Sequence, residues 1–197
     1  MTRVPLPSEV VERFRKLQER AAKTDLPEPT AVALATSDRD GRPSSRMVLL
    51  KAFDERGFVF YTNLESRKGR QLRENPRVSL TFYWPPLGEQ VQVEGDVEPV
   101  SDAEADAYWV TRPRESRLGA WASLQSEEMP SRWTLLRRFA EAAHRYGVGE
   151  VPRPRHWSGV RVVPNRVEFW RSSKFRLHDR ESWTLEDGRW VKRRLYP

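Results

Sequence analysis

The sequence predicts an α+β protein in which an antiparallel β-barrel is surrounded by helices. Two observations support this prediction. Short runs of β-branched and aromatic residues are separated by tight turns, and amphipathic stretches with helical spacing lie between them. We expect about eight or nine short strands with helices inserted between them, which favours an antiparallel barrel. The length of 197 residues favours a single domain over the whole chain.

In the first part of the chain, the sequence predicts one helix followed by a meander of strands. Residues 8–23 have apolar side chains at helical spacing, so we expect a helix there with Ser8 as its N-cap. This helix belongs to an N-terminal segment, residues 1–27. The strands that follow are joined by turns beginning at Asp38 and Asp54. These expected strands are residues 30–37, 45–53 and 58–63.

Helices and strands alternate in the middle of the chain. Ser66 can cap a short helix that Pro76 ends, while Ser101 and Glu104 form a capping box at the start of another helix. The expected helices are residues 67–74, the segment from the capping box to about residue 111, and residues 116–123 and 131–146. The expected strands are residues 77–84 and 90–100.

In the last part of the chain, the sequence predicts only strands. It follows a basic, proline-rich loop at residues 151–156, and its final hairpin turn is expected at Asp187 and Gly188. The expected strands are residues 158–163, 166–171, 181–186 and 189–194.

Composition narrows the classes of function. There are 35 Lys and Arg residues against 28 Asp and Glu, a formal net charge of +7, which favours anionic partners such as phosphorylated small molecules or nucleic acid. The absence of cysteine excludes disulfides, thiol catalysis and cysteine-bound zinc. The three histidines lie too far apart for a local metal motif. Without an apolar run of about 20 residues or a signal-peptide core, we expect a cytoplasmic protein that binds neither metal nor membrane.

Two basic segments are candidate sites for an anionic ligand. The strand at residues 46–51 has a cation at each end of an apolar stretch, which suits a ligand with an apolar ring and charged ends. The alternative is an ordinary edge strand. At residues 61–68 a strand leads into a helix N-terminus that carries Arg67 and Lys68. Cations oppose the helix dipole there unless an anion binds, so the segment is either a phosphate site or a solvated basic helix.

Two further clusters allow both a functional and a structural interpretation. Tyr108, Arg112 and Ser116 form a second possible phosphate site, although Arg112 also suits the C-terminus of a helix. On an extended segment Arg176 and His178 would share a face and could orient a substrate. An exposed hairpin with a hydrogen-bonded histidine is the alternative.

Taken together, these segments resemble the pyridoxine/pyridoxamine 5'-phosphate oxidase family from about residue 28 to the C-terminus. The order and spacing of several short motifs carry the resemblance. They are residues 46–51, 60–63, 66–68, 75–79, 112–116, 119–123, 125–126, 168–170 and 176–180.

The resemblance implies an FMN-binding split barrel and a homodimer with FMN at the subunit interface. The residues that it implies for FMN binding are Arg46, Met47, Val48, Leu49, Leu50, Lys51, Tyr61, Thr62, Arg67, Lys68, Gln90, Gln125, Ser126, Trp170 and Arg180. The residues that it implies for substrate binding are Lys51, Tyr108, Arg112, Ser116, Arg176, Leu177 and His178. Among these, Arg176 and His178 are the expected catalytic residues, because they would orient the reacting group.

The activity that the resemblance implies is the oxidation of pyridoxine or pyridoxamine 5'-phosphate to pyridoxal 5'-phosphate. A hydride would pass from substrate C4' to flavin N5, and O2 would be the acceptor, yielding H2O2 and, from the amine, NH3. One alternative is a related flavin oxidase with another substrate, as in phenazine biosynthesis. Another is a non-catalytic module that binds flavin, pyridoxal phosphate or nucleic acid. The separated basic clusters favour the oxidase with no nucleic-acid partner.

Overall fold

Nine strands form one curled antiparallel sheet in the computed structural model, which describes residues 3–197. The strands are β1 Ala31–Ser37, β2 Pro43–Leu49, β3 Ala52–Asp54, β4 Gly57–Asn63, β5 Arg77–Trp84, β6 Glu89–Pro99, β7 Trp157–Arg171, β8 Asp179–Glu186 and β9 Arg189–Leu195. Their order is β2-β1-β5-β6-β7-β4-β3, and β8 pairs with both β7 and β9. The α+β class with an antiparallel barrel is therefore confirmed.

The short connection between β2 and β3 requires the sheet to curl. These two strands lie at opposite ends of the main strand order, yet only Leu50 and Lys51 separate them. Leu50 N donates to Thr30 O on the β1 side, whereas Lys51 N donates to Val59 O in β4. The chain thus crosses from one edge of the sheet to the other within two residues. For this reason the single strand expected at residues 45–53 is two strands in the structure.

Strand β7 is where the sheet branches. It pairs with β6 along most of its length, with β4 through its first part and with β8 through its last part. Pro164 lies between these parts, and the β6 register shifts between Glu94 and Gly95. A side chain at Gly95 would clash with Val163 O, since its Cβ would lie 2.1 Å away. The bulge bends β7 without ending it, so the two strands expected at residues 158–163 and 166–171 are one.

The helices are α1 Ser8–Ala21, α2 Arg67–Glu74, α3 Asp102–Thr111, α4 Arg114–Ala122 and α5 Arg132–Tyr146. Two expected caps are confirmed: Ser66 accepts from Gly69 N, and Ser101 forms a capping box with Glu104. The expectation that Ser8 caps α1 was wrong. Pro7 is the N-cap residue, and no side chain caps this helix end, because proline has no side-chain acceptor for a helix N–H group.

Helix α1 packs its apolar face against the sheet to form the main core. Phe14 is fully buried and meets Phe58 and Phe82 edge-to-face, with ring centroids 5.0 and 4.9 Å apart. Such aromatic pairs stabilise a core by about 0.5–1.5 kcal/mol beyond the area that they bury. The core fixes β4 and β5, and β4 carries part of the site described below.

A second, smaller core joins α3, α4 and α5 to the start of β7. Its buried residues are Trp109, Leu118, Ala142, Val151 and Trp157. The cluster holds the helices beside the edge of the sheet, where a cleft forms. Across residues 3–197, no helix is both long enough and apolar enough to span a membrane.

Candidate active site

A cleft of about 400 Å³ lies between the sheet and helices α2, α3 and α4. Many of the residues expected to bind FMN or substrate line it, although they come from distant parts of the sequence. They are Met47, Val48, Leu49, Lys51, Tyr61, Thr62, Lys68, Tyr108, Arg112, Ser116 and Gln125. The fold therefore brings the two expected phosphate-binding segments to one cleft.

The turn from β4 into α2 is held by a set of local hydrogen bonds. Asn63 Oδ1 accepts from Glu65 N at 2.7 Å, and Ser66 Oγ donates to Asn63 O at 2.6 Å. A Cβ on Gly69 would lie 2.2 Å from Leu64 O, so this close approach of helix and turn requires glycine. The first N–H groups of a helix have no carbonyl partner within the helix. The sequence around Ser66 therefore presents a fixed helix N-terminus beside the cleft.

Three cations converge at this helix N-terminus. Arg46 donates to the hydroxyls of Thr36 and Ser44 at 2.6 and 2.5 Å, and these partners carry no charge. Burial, and then the nearby charge of Arg67, lowers the pKa of Arg46. Burial, and then the charge of Arg46, lowers the pKa of Lys68 to about 8. This excess of positive charge fits an anionic group such as a phosphate, because an anion would stabilise all three cations.

Gln71 fixes the position of Arg46 within this cluster. Its buried side-chain oxygen accepts from Thr36 Oγ1 at 2.6 Å, Ser44 Oγ at 2.7 Å and Arg46 Nη2 at 3.3 Å. Arg46 itself does not line the cleft. Neither does Leu50, whose side chain is in the main core.

Arg112 forms the second cationic centre of the cleft. Its Nη2 donates to Ser116 O at 3.3 Å, so the side chain bonds to α4 and not to the end of α3. Its Nη1 is buried, and it has no hydrogen-bond partner among residues 3–197. Burial lowers the pKa of Arg112. An unsatisfied buried donor is uncommon, and a ligand phosphate or carboxylate would satisfy it.

Stacked aromatic rings form an apolar wall of the cleft. Tyr61 and Tyr108 stack with centroids 3.9 Å apart, and Trp157 stacks on Tyr61 at 5.2 Å. Burial raises the pKa of both tyrosines, so they stay neutral at physiological pH. Sequence reasoning missed Trp157, although an aromatic residue directly after the loop at residues 151–156 was a usable signal. It also missed Asn63, Gly119, Ala120 and Ser123, which line the cleft as well.

The other expected site residues lie at the far end of the sheet. Gln90, Trp170 and Arg180 are direct neighbours on β6, β7 and β8. Trp170 is near the end of β7 opposite to Trp157, up to about 40 Å away along an extended strand. Arg176, Leu177 and His178 follow in the connection to β8. Within one chain, therefore, these residues do not line the cleft that the other expected site residues form.

The segment around Arg176 is a tight turn. The extended conformation considered for it is wrong, because Phe175 and Arg176 both have left-handed backbones, with φ of 57° and 60°. His178 Nδ1 accepts from Ser173 N at 3.2 Å, and its ring lies 4.6 Å from that of Trp170. Phe175 and Leu177 are strongly exposed apolar residues. Arg180 donates from Nε to buried Glu168 at 2.8 Å.

Comparison with known proteins identifies the family to which the chain belongs. Residues 18–146 match the family model described as pyridoxamine 5'-phosphate oxidase. Residues 157–197 match the pyridoxine 5'-phosphate oxidase C-terminal dimerisation region. The pyridoxine/pyridoxamine 5'-phosphate oxidase of Myxococcus xanthus (strain DK1622) is 55% identical over 195 residues, which cover 99% of this chain and 95% of that protein.

Two solved structures share the fold. PhzG from Burkholderia lata 383, in complex with tetrahydrophenazine-1-carboxylic acid, has a TM-score of 0.91 and 36% identity, over 97% of this chain and 94% of that one. A pyridoxamine 5'-phosphate oxidase-related, FMN binding protein from Nostoc punctiforme PCC 73102 has a TM-score of 0.73 and 18% identity, over 100% of both chains. The resemblance seen in the sequence is thereby confirmed: this chain belongs to the pyridoxine/pyridoxamine 5'-phosphate oxidase family.

Proposed function

We propose that this chain is an FMN-dependent oxidase that converts pyridoxine or pyridoxamine 5'-phosphate to pyridoxal 5'-phosphate. One observation carries the proposal: two separate cationic centres reach one cleft that is also lined by the stacked rings of Tyr61, Tyr108 and Trp157. Lys68 of the first centre lines the cleft, and the charges of Arg46 and Arg67 are close to it; the second centre is Arg112 with Ser116. Two phosphorylated ligands, the cofactor and the substrate, account for two such centres in one cleft.

The residues at the start of α2 would hold the cofactor phosphate. Arg67 and Lys68 supply charge, while the helix N-terminus supplies free N–H groups. Residues 47–49 of β2, Tyr61 and Thr62 form the adjoining wall of the cleft. The chemistry that FMN supplies when bound is two-electron oxidation of the substrate with dioxygen as the final acceptor, and the protein supplies binding and orientation.

Arg112, Ser116, Tyr108 and Lys51 would hold the substrate. The unsatisfied Nη1 of Arg112 supports its assignment to the substrate phosphate. Anchoring the phosphate at a fixed place restricts the rest of a small substrate to a few orientations over the wall of the cleft. Lys51 lines the same cleft just after β2, so its charge adds to the attraction for anions.

The active site would be completed by a second copy of the chain. Arg176 and His178 do not line the cleft of their own chain, and they lie in an exposed turn flanked by apolar residues. The match of residues 157–197 to a dimerisation region supports a homodimer. In such a dimer, Gln90, Trp170, Arg176, Leu177, His178 and Arg180 of the partner subunit would complete the FMN and substrate sites.

An anaerobic absorbance spectrum of the FMN-loaded protein tests the proposed activity. Pyridoxine 5'-phosphate should bleach the flavin bands, and air should restore them with formation of pyridoxal 5'-phosphate and H2O2. Pyridoxamine 5'-phosphate is tested in parallel. If the bands stay oxidised with both vitamin substrates but bleach with tetrahydrophenazine-1-carboxylic acid, the chain is a flavin oxidase of the phenazine type instead. Failure to bind FMN would overturn the enzyme assignment.

A further inference from the structure

Trp157 contacts both Tyr61 of the aromatic wall and Arg112, the cation that we assign to the substrate phosphate. Its indole is almost fully buried at the first residue of β7. The guanidinium of Arg112 lies 4.6 Å from the centroid of this ring and 5.2 Å from that of Trp109. We propose that Trp157 is a positioning residue that holds the Arg112 guanidinium in place for the phosphate of the substrate. This inference rests on the function proposed above for Arg112.

The contacts of Arg112 explain why a ring must position it. Its Nη2 bond to Ser116 O is long, at 3.3 Å, and a guanidinium on a flexible stem is not oriented by one such bond. An acidic partner would orient it, but it would also neutralise the charge needed to bind an anion. The face of a tryptophan ring attracts a cation without neutralising it. Stacking on Trp157 and Trp109 therefore orients Arg112 while its charge remains available.

Trp157 is itself firmly held. It pairs with Asn63 in the β4–β7 ladder, and its carbonyl accepts from Arg153 Nη1 at 3.0 Å. Arg153 is in turn bound to Asp102 and Asp106 of α3, at 2.7 and 2.5 Å. The indole of Trp109 meets that of Trp157 edge-on at 4.7 Å, and its N–H donates to Val151 O at 2.7 Å. These contacts fix the surface on which Arg112 lies.

The arrangement predicts a selective loss of phosphate recognition when the ring is removed. Trp157→Leu should raise the KM for pyridoxine 5'-phosphate, and the inhibition constant of inorganic phosphate, by about 2- to 30-fold, the range of a cation–π contact. The turnover number should change much less, and the affinity for FMN should be retained. Trp157→Phe keeps a weaker ring face and should give a smaller effect in the same direction. Trp121→Phe is the matched control, because the Trp121 indole donates to Pro152 O, away from Arg112.

Further variants separate this inference from the proposed function. Arg112→Ala should weaken inhibition by inorganic phosphate, and adding Trp157→Leu to it should weaken inhibition no further, because both changes act through one group. If Arg112→Ala leaves phosphate inhibition unchanged, the function proposed for Arg112 fails. If Arg112→Ala weakens inhibition but folded Trp157→Phe and Trp157→Leu do not, only the role of Trp157 is overturned. If the Trp157 variants lose turnover and FMN affinity as strongly as they lose phosphate recognition, the ring has only a structural role and the inference is overturned.

Discussion

Lys68 donates a hydrogen bond from Nζ to the side-chain oxygen of Gln125 at 2.9 Å, which joins the start of α2 to the loop after α4. Both residues line the cleft. The amide orients the ammonium but adds no negative charge, so burial and the nearby Arg46 still lower the pKa of Lys68 to about 8. The charge state of this residue therefore changes within an accessible pH range.

We expect FMN affinity to fall as the pH rises through about 8. Below that pKa, Lys68 is charged in the free protein and can pair with the cofactor phosphate at once. Above it, binding must take up a proton, because the phosphate raises the pKa of Lys68 in the complex, and affinity drops by up to about tenfold per pH unit. Quenching of FMN fluorescence, titrated at several pH values, measures the slope. Lys68→Arg stays charged throughout and should flatten the profile; an unchanged slope in that variant would contradict the prediction.

Arg67→Ala should weaken FMN binding by about 1.5–3 kcal/mol, because it removes a charge-assisted contact to the phosphate. Folding stability should change little, since Arg67 is exposed at the start of α2. The matched control is Arg70→Ala on the same helix, whose guanidinium donates to Glu65 O at 2.5 Å. Equilibrium titration of the apoprotein with FMN compares the two. Equal affinities for the Arg67 and Arg70 variants would exclude Arg67 from the phosphate site.

Arg176→Ala should slow reduction of the flavin by the substrate while FMN stays bound. We assign this residue to orienting the substrate, and its exposed turn carries no part of the core. Anaerobic stopped-flow spectroscopy measures the reduction rate, and the flavin content of the purified variant is measured alongside. Lys174→Ala, in the same turn, should reduce flavin at the native rate. Purification of the Arg176 variant without flavin would mean that this residue binds the cofactor instead.

A mixed dimer should be more active than either parent variant. Arg112→Ala and Arg176→Ala homodimers lack one required residue at every site. If each site takes Arg112 from one chain and Arg176 from the other, the heterodimer has one intact site and roughly half the native activity. The heterodimer is isolated with two different affinity tags and assayed against both homodimers. A heterodimer no more active than its parents would show that both residues serve the same chain's site.

Local signals were sufficient for most of the elements. The hydroxyl caps at Ser66 and Ser101, the alternation within β5 and the turn at Gly188 depend on residues that are close in sequence, and each is found in the structure. Expectations that depended on distant partners were less successful. Leu50 is in the core and follows the end of β2, because Lys51 already pairs with β4 across the closing sheet. The pattern of polar and apolar residues in 45–53 does not indicate that the chain crosses here from one edge of the sheet to the other.

In the candidate site, too, local motifs were predictable from the sequence, whereas long-range arrangement was not. Short motifs in a specific order identified the family and named most residues of the cleft, because ligand-binding groups recur in fixed local patterns. The motifs did not reveal that Gln90, Trp170 and Arg176 lie at the other end of β7, nor that Trp157 supports Arg112.

By itself, the sequence determined the fold class, the N-caps of α2 and α3 and the chemical character of both cationic segments. Tertiary structure alone decided which of these segments share a cleft. Apolar periodicity and caps arise from interactions over a few residues, whereas the cleft exists because the sheet curls, bringing β2 and β4 together beside α3 and α4. The separation of Arg112 from Arg176 follows from the length of β7, and it is a property of the folded chain that no local pattern encodes.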